Sequence, residues 1–279
     1  MSQFVYYYEP LTPEDVSARA LVLSLMSSTD ASPQAIGRLI HAAALFGIEA
    51  ATLRVAVTRL MKDGLLESPD RGIYAPGPKA QALMRRVQQW EDVERRMVAW
   101  NGDWLVALTR HLGRSDRKQL RARERALALF GYQQTEEGFW VRPANLAGDL
   151  ETHRADLTGI GADEDIILMR ACELAMAGPQ DWASLWSPDA LSRSYAHAIE
   201  TMEQSLAGLD GRTLDEAARE TLLIGQPVIR AINFDPLLPP ELGDQAGLLR
   251  MADEMRAYNK VGQACWQRYY ASIEKAAQD

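Results

Sequence analysis

The chain has 279 residues, 47% hydrophobic and 24% charged, the balance of a globular protein with room for two or three buried cores. No run approaches eighteen consecutive apolar residues, which argues against a spanning helix. The net charge of −8 is unevenly spread: Arg54 to Arg125 holds 16 Lys+Arg against 9 Asp+Glu, a balance of +7 that leaves −15 for the remainder.

A local basic stretch on an otherwise acidic protein is the footprint of a nucleic-acid contact. The two cysteines, Cys172 and Cys265, have no second Cys or His at ligand spacing. A disulfide framework or zinc site is therefore not expected, and a reducing cytoplasm is. The opening Met1-Ser2-Gln3-Phe4 lacks the basic-then-apolar order of a secretion signal.

Residues up to about Pro13 read as an irregular arm, and a helical pattern starts at Ser17 with Ala20, Leu21, Ser24 and Leu25 at helical spacing. Ser28 to Pro33 interrupts it. Ser32 followed by Pro33 predicts the start of a second helix, which carries Ile36, Leu39, Ile40 and Ala43 and closes at Phe46-Gly47. A third helix spans about Ala50 to Asp63, and Gly64 ends it. Two short strand-like runs follow, Leu65-Leu66-Glu67 and Ile73-Tyr74-Ala75, joined by the turn-rich Ser68-Pro69-Asp70-Arg71-Gly72. Three helices and a hairpin make a winged helix. A charged amphipathic helix over about Pro78 to Met97 leads away from it.

The middle of the chain alternates strand and helix. Trp104 to Leu108 reads as a buried strand, Asp116 to Phe130 as a basic helix, and residues 131–134 and 139–141 as a hairpin. A helix near Asn145 to Leu157 and a strand at Ile166 to Met169 complete the order β-α-β-β-α-β, that of a ferredoxin-like domain. Beyond Pro179 the pattern is helical: Ser187-Pro188-Asp189 starts a helix towards Leu206, with further helices over Leu214 to Phe234 and Gly247 to Ala271. Between the last two, three prolines make Asp235 to Pro240 a rigid, extended segment. The expected fold is thus a mostly helical α+β chain. Its parts are a winged helix over residues 1–77, a linker helix over 78–98, a ferredoxin-like domain over 99–176 and a helical domain over 177–279.

The third helix carries the chemistry. Leu53, Val57, Leu60 and Met61 fall on one apolar arc, expected to pack on the first two helices. The opposite side presents Ala51, Val55, Thr58, Arg59 and Lys62, with Thr52 and Arg54 flanking. An outward valine suits a thymine methyl, arginine reads guanine O6 and N7, and Thr58 can reach a base edge or a phosphate. Lys62 at the helix end is placed for a phosphate. Arg71 at the hairpin tip is placed for a minor groove or the DNA backbone.

Several blocks resemble one family. Phe46-Gly47-Ile48, Leu53 to Leu60 and Lys62-Asp63-Gly64-Leu65-Leu66 are similar to the N-terminal signature of the PaaX-type repressors of phenylacetate catabolism. The likeness continues through Trp100-Asn101-Gly102-Asp103-Trp104, Leu129 to Tyr132 and Gly138 to Pro143. It ends with Arg219 to Ile224 and Phe234-Asp235-Pro236-Leu237-Leu238-Pro239-Pro240-Glu241-Leu242. The resemblance implies a homodimer on a palindromic operator, released by an inducer of the phenylacetyl-coenzyme A type. The sequence departs from it after Leu242, where a Trp-Pro pair is usual, and over Ala177 to Trp182.

An acyl-coenzyme A needs cations, a stacking surface and an apolar slot. Arg114 and Arg121 of the basic run, the aromatic walls Trp104 and Trp140, and Arg142 just after that strand are the expected contacts. No cofactor is expected, and no catalysis. Ferredoxin-like metal-dependent nucleases end their first strand in an aspartate, whereas this strand ends Leu108-Thr109-Arg110. His41, His111, His153 and His197 share no metal-ligand spacing. Two further readings are a winged-helix regulator of another pathway with a different small-molecule inducer, and a winged helix that only holds another protein.

Overall fold

A computed structural model describes residues 5–27, 33–173 and 181–276. The fold is mostly helical α+β, with two small antiparallel sheets. A 3-10 turn at Pro13–Asp15 precedes α1 (Ala18–Met26), whose N-cap Ser17 accepts from the Ala20 N–H. Then come β1 (Gln34–Ala35), α2 (Ile36–Ala44), α3 (Ala50–Lys62), β2 (Leu66–Asp70), β3 (Ile73–Pro76) and α4 (Pro78–Val87). The first sheet has the order β1-β3-β2, with Gln34 opposite Tyr74 and Glu67 opposite Ala75.

The second helix does not start where the sequence suggested. Gln34 and Ala35 pair with β3 instead, and the Ile36 N–H donates to the Gly72 carbonyl at 2.8 Å. The hairpin therefore supplies the acceptor that a capping hydroxyl would have given, and the helix begins at Ile36 with no side-chain cap. Ser32, the expected cap, lies outside the described residues, as does most of the departing stretch Ala177 to Trp182. Gly47, at φ 68°, makes the left-handed turn after α2. The expected helix over Pro78 to Met97 is two pieces: α4 ends at Val87 and a 3-10 stretch, Gln88–Arg96, follows with a break at Asp92.

Next in the chain are β4 (Trp104–Leu108), α5 (Arg117–Leu129), β5 (Gln133–Gln134), β6 (Trp140–Pro143), α6 (Leu150–Gly159) and β7 (Ile167–Ala171). The second sheet is antiparallel with the order β5-β6-β4-β7. Asp116 caps α5 by accepting from Lys118 and Gln119 at 2.9 and 3.2 Å. The helix α6 begins five residues later than Asn145. Asn145 is buried, its amide donating to the Leu237 carbonyl at 2.7 Å, and Asp149 is the cap.

The remaining helices are α7 (Pro188–Gly208), α8 (Leu214–Asn233) and α9 (Gln245–Ala276), with the proline-rich segment extended between α8 and α9. The chain forms two compact units that interleave along the sequence. One, the α3 unit, joins Tyr8–Glu91, His197–Arg230 and Ala252–Asp279; the other, the β4 unit, joins Met1–Tyr7, Asp92–Ala196 and Ala231–Met251. The core of the α3 unit is Leu21, Val22, Met26, Leu39, Phe46, Leu53, Val57 and Leu60, with Leu222 of α8 against it. That of the β4 unit is Leu105, Ala107, Leu127, Trp140, Leu157 and Ile166.

Candidate nucleic-acid interface

Helix α3 is held by one side only. Leu53 and Leu60 are fully buried and Val57 nearly so, at positions i, i+4 and i+7 of one stripe. Met61, expected on the same arc, is 38% exposed, because the next residue round the helix falls past the edge of the stripe. Burial of these side chains, at about 2 kcal/mol each, fixes the rotation of α3 and so fixes what faces outward.

What faces outward is Thr52, Arg54, Val55, Thr58, Arg59 and Lys62, all exposed. Val55 is 50% exposed, a large apolar side chain in water between charged neighbours. The helix contains three cations and no carboxylate between Ala50 and Lys62. Arg59 and Lys62 sit in its last turn, where the helix dipole favours positive charge. Asp63, just past the end, is paired with Arg19 of α1 at 2.9 Å. The Thr58 hydroxyl donates to the Arg54 carbonyl at 2.9 Å, which leaves its oxygen lone pairs as acceptors.

Thr52, Val55 and Arg59 share a shallow hollow with Ala51 and Ala56, closed on the other side by Ser17, Ala18 and Arg19 at the start of α1. Arg19 was missed by sequence reasoning. Its signal was its place two residues after a helix-capping serine, at the end of α1 that lies beside the exposed face of α3. Arg71 is exposed at the tip between β2 and β3. The tip is held by Ser68, whose hydroxyl oxygen lies 2.7 Å from the Asp70 carbonyl and 2.9 Å from that of Ile73. Arg71 does not line the hollow with the α3 residues.

Of the residues expected to hold an inducer, Trp104 lies on β4 and Trp140 and Arg142 on its paired strand β6, while Arg114 and Arg121 lie outside the sheet. Arg114 and Arg121 are exposed, Arg121 on α5 and Arg114 just before it. Trp104 and Trp140 are buried, and Trp104 packs within an aromatic cluster. Its ring stands edge-on to Trp100 and Trp182 at 5.5 Å and is stacked on Trp186 at 6.1 Å.

Arg142 is 1% exposed, and four of its five N–H donors are engaged by the protein itself. Nε donates to the Pro143 carbonyl at 3.0 Å, Nη2 to Asn145 Oδ1 at 2.9 Å and the Pro236 carbonyl at 3.3 Å, and Nη1 to the Phe130 carbonyl. Burial lowers the guanidinium to about 10. Beside it, Asp235 accepts from the Tyr195 hydroxyl at 2.6 Å and the Leu237 N–H at 2.7 Å, and burial raises its carboxyl to about 6. Leu237 takes a left-handed φ of 52°, held from both sides by the Asp235 and Asn145 bonds. Sequence reasoning placed Arg142 at a ligand; the structure places its guanidinium among internal acceptors of the β4 unit. With three backbone carbonyls and the Asn145 amide oxygen on its donors, the guanidinium ties β6 and the end of α5 to Pro236 of the proline-rich segment.

Among the described residues, no group of three or more His, Cys, Asp or Glu could hold a metal, and no helix is long and apolar enough to cross a membrane. No curated protein matches the chain. A solved structure, that of the uncharacterized protein Rv0674 from Mycobacterium tuberculosis, aligns with 89% of this chain and 98% of its own at a TM-score of 0.58 and 24% identity, a likeness of fold. A family model described as "PaaX-like protein" matches residues 17–75. That stretch runs from the cap of α1 through α3 to β3, and over it the chain is similar to the PaaX-like proteins.

Proposed function

We propose that this protein is a DNA-binding transcriptional repressor in which α1–α3 and β1–β3 act as a winged helix-turn-helix. Helix α3 lies in the major groove. Val55 meets a thymine methyl, Arg59 and Arg54 reach guanine edges or phosphates, and Thr52, Thr58 and Lys62 fix the register. Arg71 on the wing meets the backbone or the minor groove. In this reading residues 1–77 bind DNA, 78–98 link, 99–176 form a ferredoxin-like domain on the β5-β6-β4-β7 sheet, and 177–279 form a helical domain. A homodimer places two copies of α3 in successive major grooves of a palindromic operator, ~34 Å apart or a multiple of it.

The observation that carries this reading is the outer face of α3, where a half-exposed valine sits among three cations with no carboxylate in the helix. The likeness to PaaX-like proteins supports a regulator of aromatic-acid catabolism; the proposal takes it as a cytoplasmic protein without enzymatic activity or cofactor, with an acyl-coenzyme A thioester as inducer. For such a thioester, Arg114 and Arg121 are the exposed cations, with Trp104, Trp140 and Arg142 buried on the paired strands β4 and β6.

The test is a gel shift of the full chain on the region upstream of its own operon, repeated over a salt series and with phenylacetyl-coenzyme A. Operator binding that weakens steeply with salt is expected, because each neutralised phosphate releases counterions. A chain that ignores that region at low ionic strength refutes the reading.

A further inference from the structure

Within the α3 unit lies a cavity of about 290 Å³ whose wall is shared by α1, α2, α8 and α9. Its apolar lining includes Trp90, Leu222, Ile229, Met255 and Trp266, with amide groups such as that of Gln226 between them. Among the described lining residues there is one cation, Arg38 of α2, and one carboxylate, Glu91. The Arg38 guanidinium lies over the Tyr270 ring, 4.1 Å from its centroid. Its Nε is buried and has no hydrogen-bond acceptor among the described residues.

These facts narrow the ligand. A buried charged donor without an acceptor is unfavourable, and a carboxylate brought beside it would restore a charge-assisted bond. Aromatic and aliphatic walls favour a ring-sized apolar body over a sugar or a peptide. The volume lies at the lower edge of the ~300–1,000 Å³ range of small-molecule sites. A single cation cannot serve the several phosphate charges of a nucleotide or a coenzyme A. We propose that this cavity binds a small aromatic monocarboxylate, its carboxylate on Arg38 and its ring against Trp266.

The position of the cavity gives the ligand a route to DNA. Arg38 stands on α2, and Ser24 and Leu25 on α1 also line the cavity. These two helices are the ones on which α3 packs. A carboxylate that binds the DNA-free arrangement more tightly than the DNA-bound one lowers operator affinity by that same ratio. This coupling rests on the repressor reading above; the binding of the carboxylate does not.

The full chain is titrated with benzoate and with benzamide, its neutral counterpart, following tryptophan fluorescence, to which Trp90 and Trp266 report, and heat by calorimetry. Benzoate should saturate the signal and benzamide should bind at least about tenfold more weakly. Arg38→Gln should weaken benzoate by about the same factor. Because that variant also loses the contact with Tyr270, Gln226→Trp provides a second one, which fills the cavity and should abolish binding. Equal binding of the two probes, no benzoate binding, or unchanged binding by a folded Gln226→Trp protein overturns the site. A gel shift with added benzoate reads the coupling separately: bound benzoate that leaves operator affinity unchanged overturns the coupling alone. Failure to bind any operator, with benzoate still bound, refutes the repressor reading and leaves the site standing.

Discussion

The outer face of α3 and the interior of the β4 unit both depend on arginine, in opposite settings. Arg54 and Arg59 stand in water on a helix that buries its other side, and no protein hydrogen bond engages their guanidinium groups in the hydrogen bonds described. Arg142 stands 1% exposed with four bonds to Phe130, Pro143, Asn145 and Pro236. One setting keeps the cation available to a partner, and the other turns it into a fastening between distant segments. The difference is set by position in the packing, since the side chain is the same.

Three substitutions break or sharpen that contrast. The largest effect is expected of Arg142→Ala, which leaves three carbonyls and the Asn145 amide oxygen without their donor inside the protein. Urea unfolding should show a loss of about 4 kcal/mol, while the protein that remains folded binds operator as before. Unchanged stability together with a lost inducer response would return Arg142 to a ligand site.

Asp235→Asn tests the same interior through pH. Burial lifts the folded carboxyl from 3.8 to about 6, so between those values the unfolded chain has already released a proton that the folded chain keeps. Stability contributed by this group is therefore present at low pH and falls as pH rises through the window, by about 3 kcal/mol in all. The asparagine variant should lack this decline, and unfolding curves at several pH values between about 4 and 7 measure it. A decline that persists undiminished in the variant assigns it to another group.

The smallest effect is expected of Arg59→Ala, about 1–3 kcal/mol on operator and much less on random DNA, with an unaltered unfolding curve. Equal losses on both DNAs would mean that Arg59 meets only backbone. A shifted unfolding curve would place Arg59 with the fastening arginines and dissolve the contrast.

What the sequence made legible was local. Ser17, Asp116 and the Ser187-Pro188 pair announced helix starts, and the 3.6-residue period of Leu53, Val57 and Leu60 set the rotation of α3, so its outward residues could be named. The failures are of one kind. Asn145 read as a helix start because its partner, the Leu237 carbonyl, lies 92 positions away. Arg142 gave no sign of its internal bonds, because the aromatic strand beside it is visible in the sequence and the Pro236 carbonyl is not. Ser32 read as a cap because nothing nearby announces that the β2-β3 hairpin supplies the acceptor for Ile36. Arg38 went unnoticed for the same reason, since Tyr270 approaches it from the far end of the chain.

Gly131 carries a consequence for how the protein is made. A Cβ there would stand 2.7 Å from the Pro236 Cα, so the turn after α5 and the proline-rich segment touch backbone to backbone. Arg142 leaves the ribosome 94 residues ahead of the Pro236 carbonyl that it binds. At ~5–20 residues per second, its guanidinium waits roughly 5–20 s for that partner. A nascent chain halted before Asp235 lacks the Pro236 and Leu237 carbonyls to which Arg142 and Asn145 donate in the folded β4 unit.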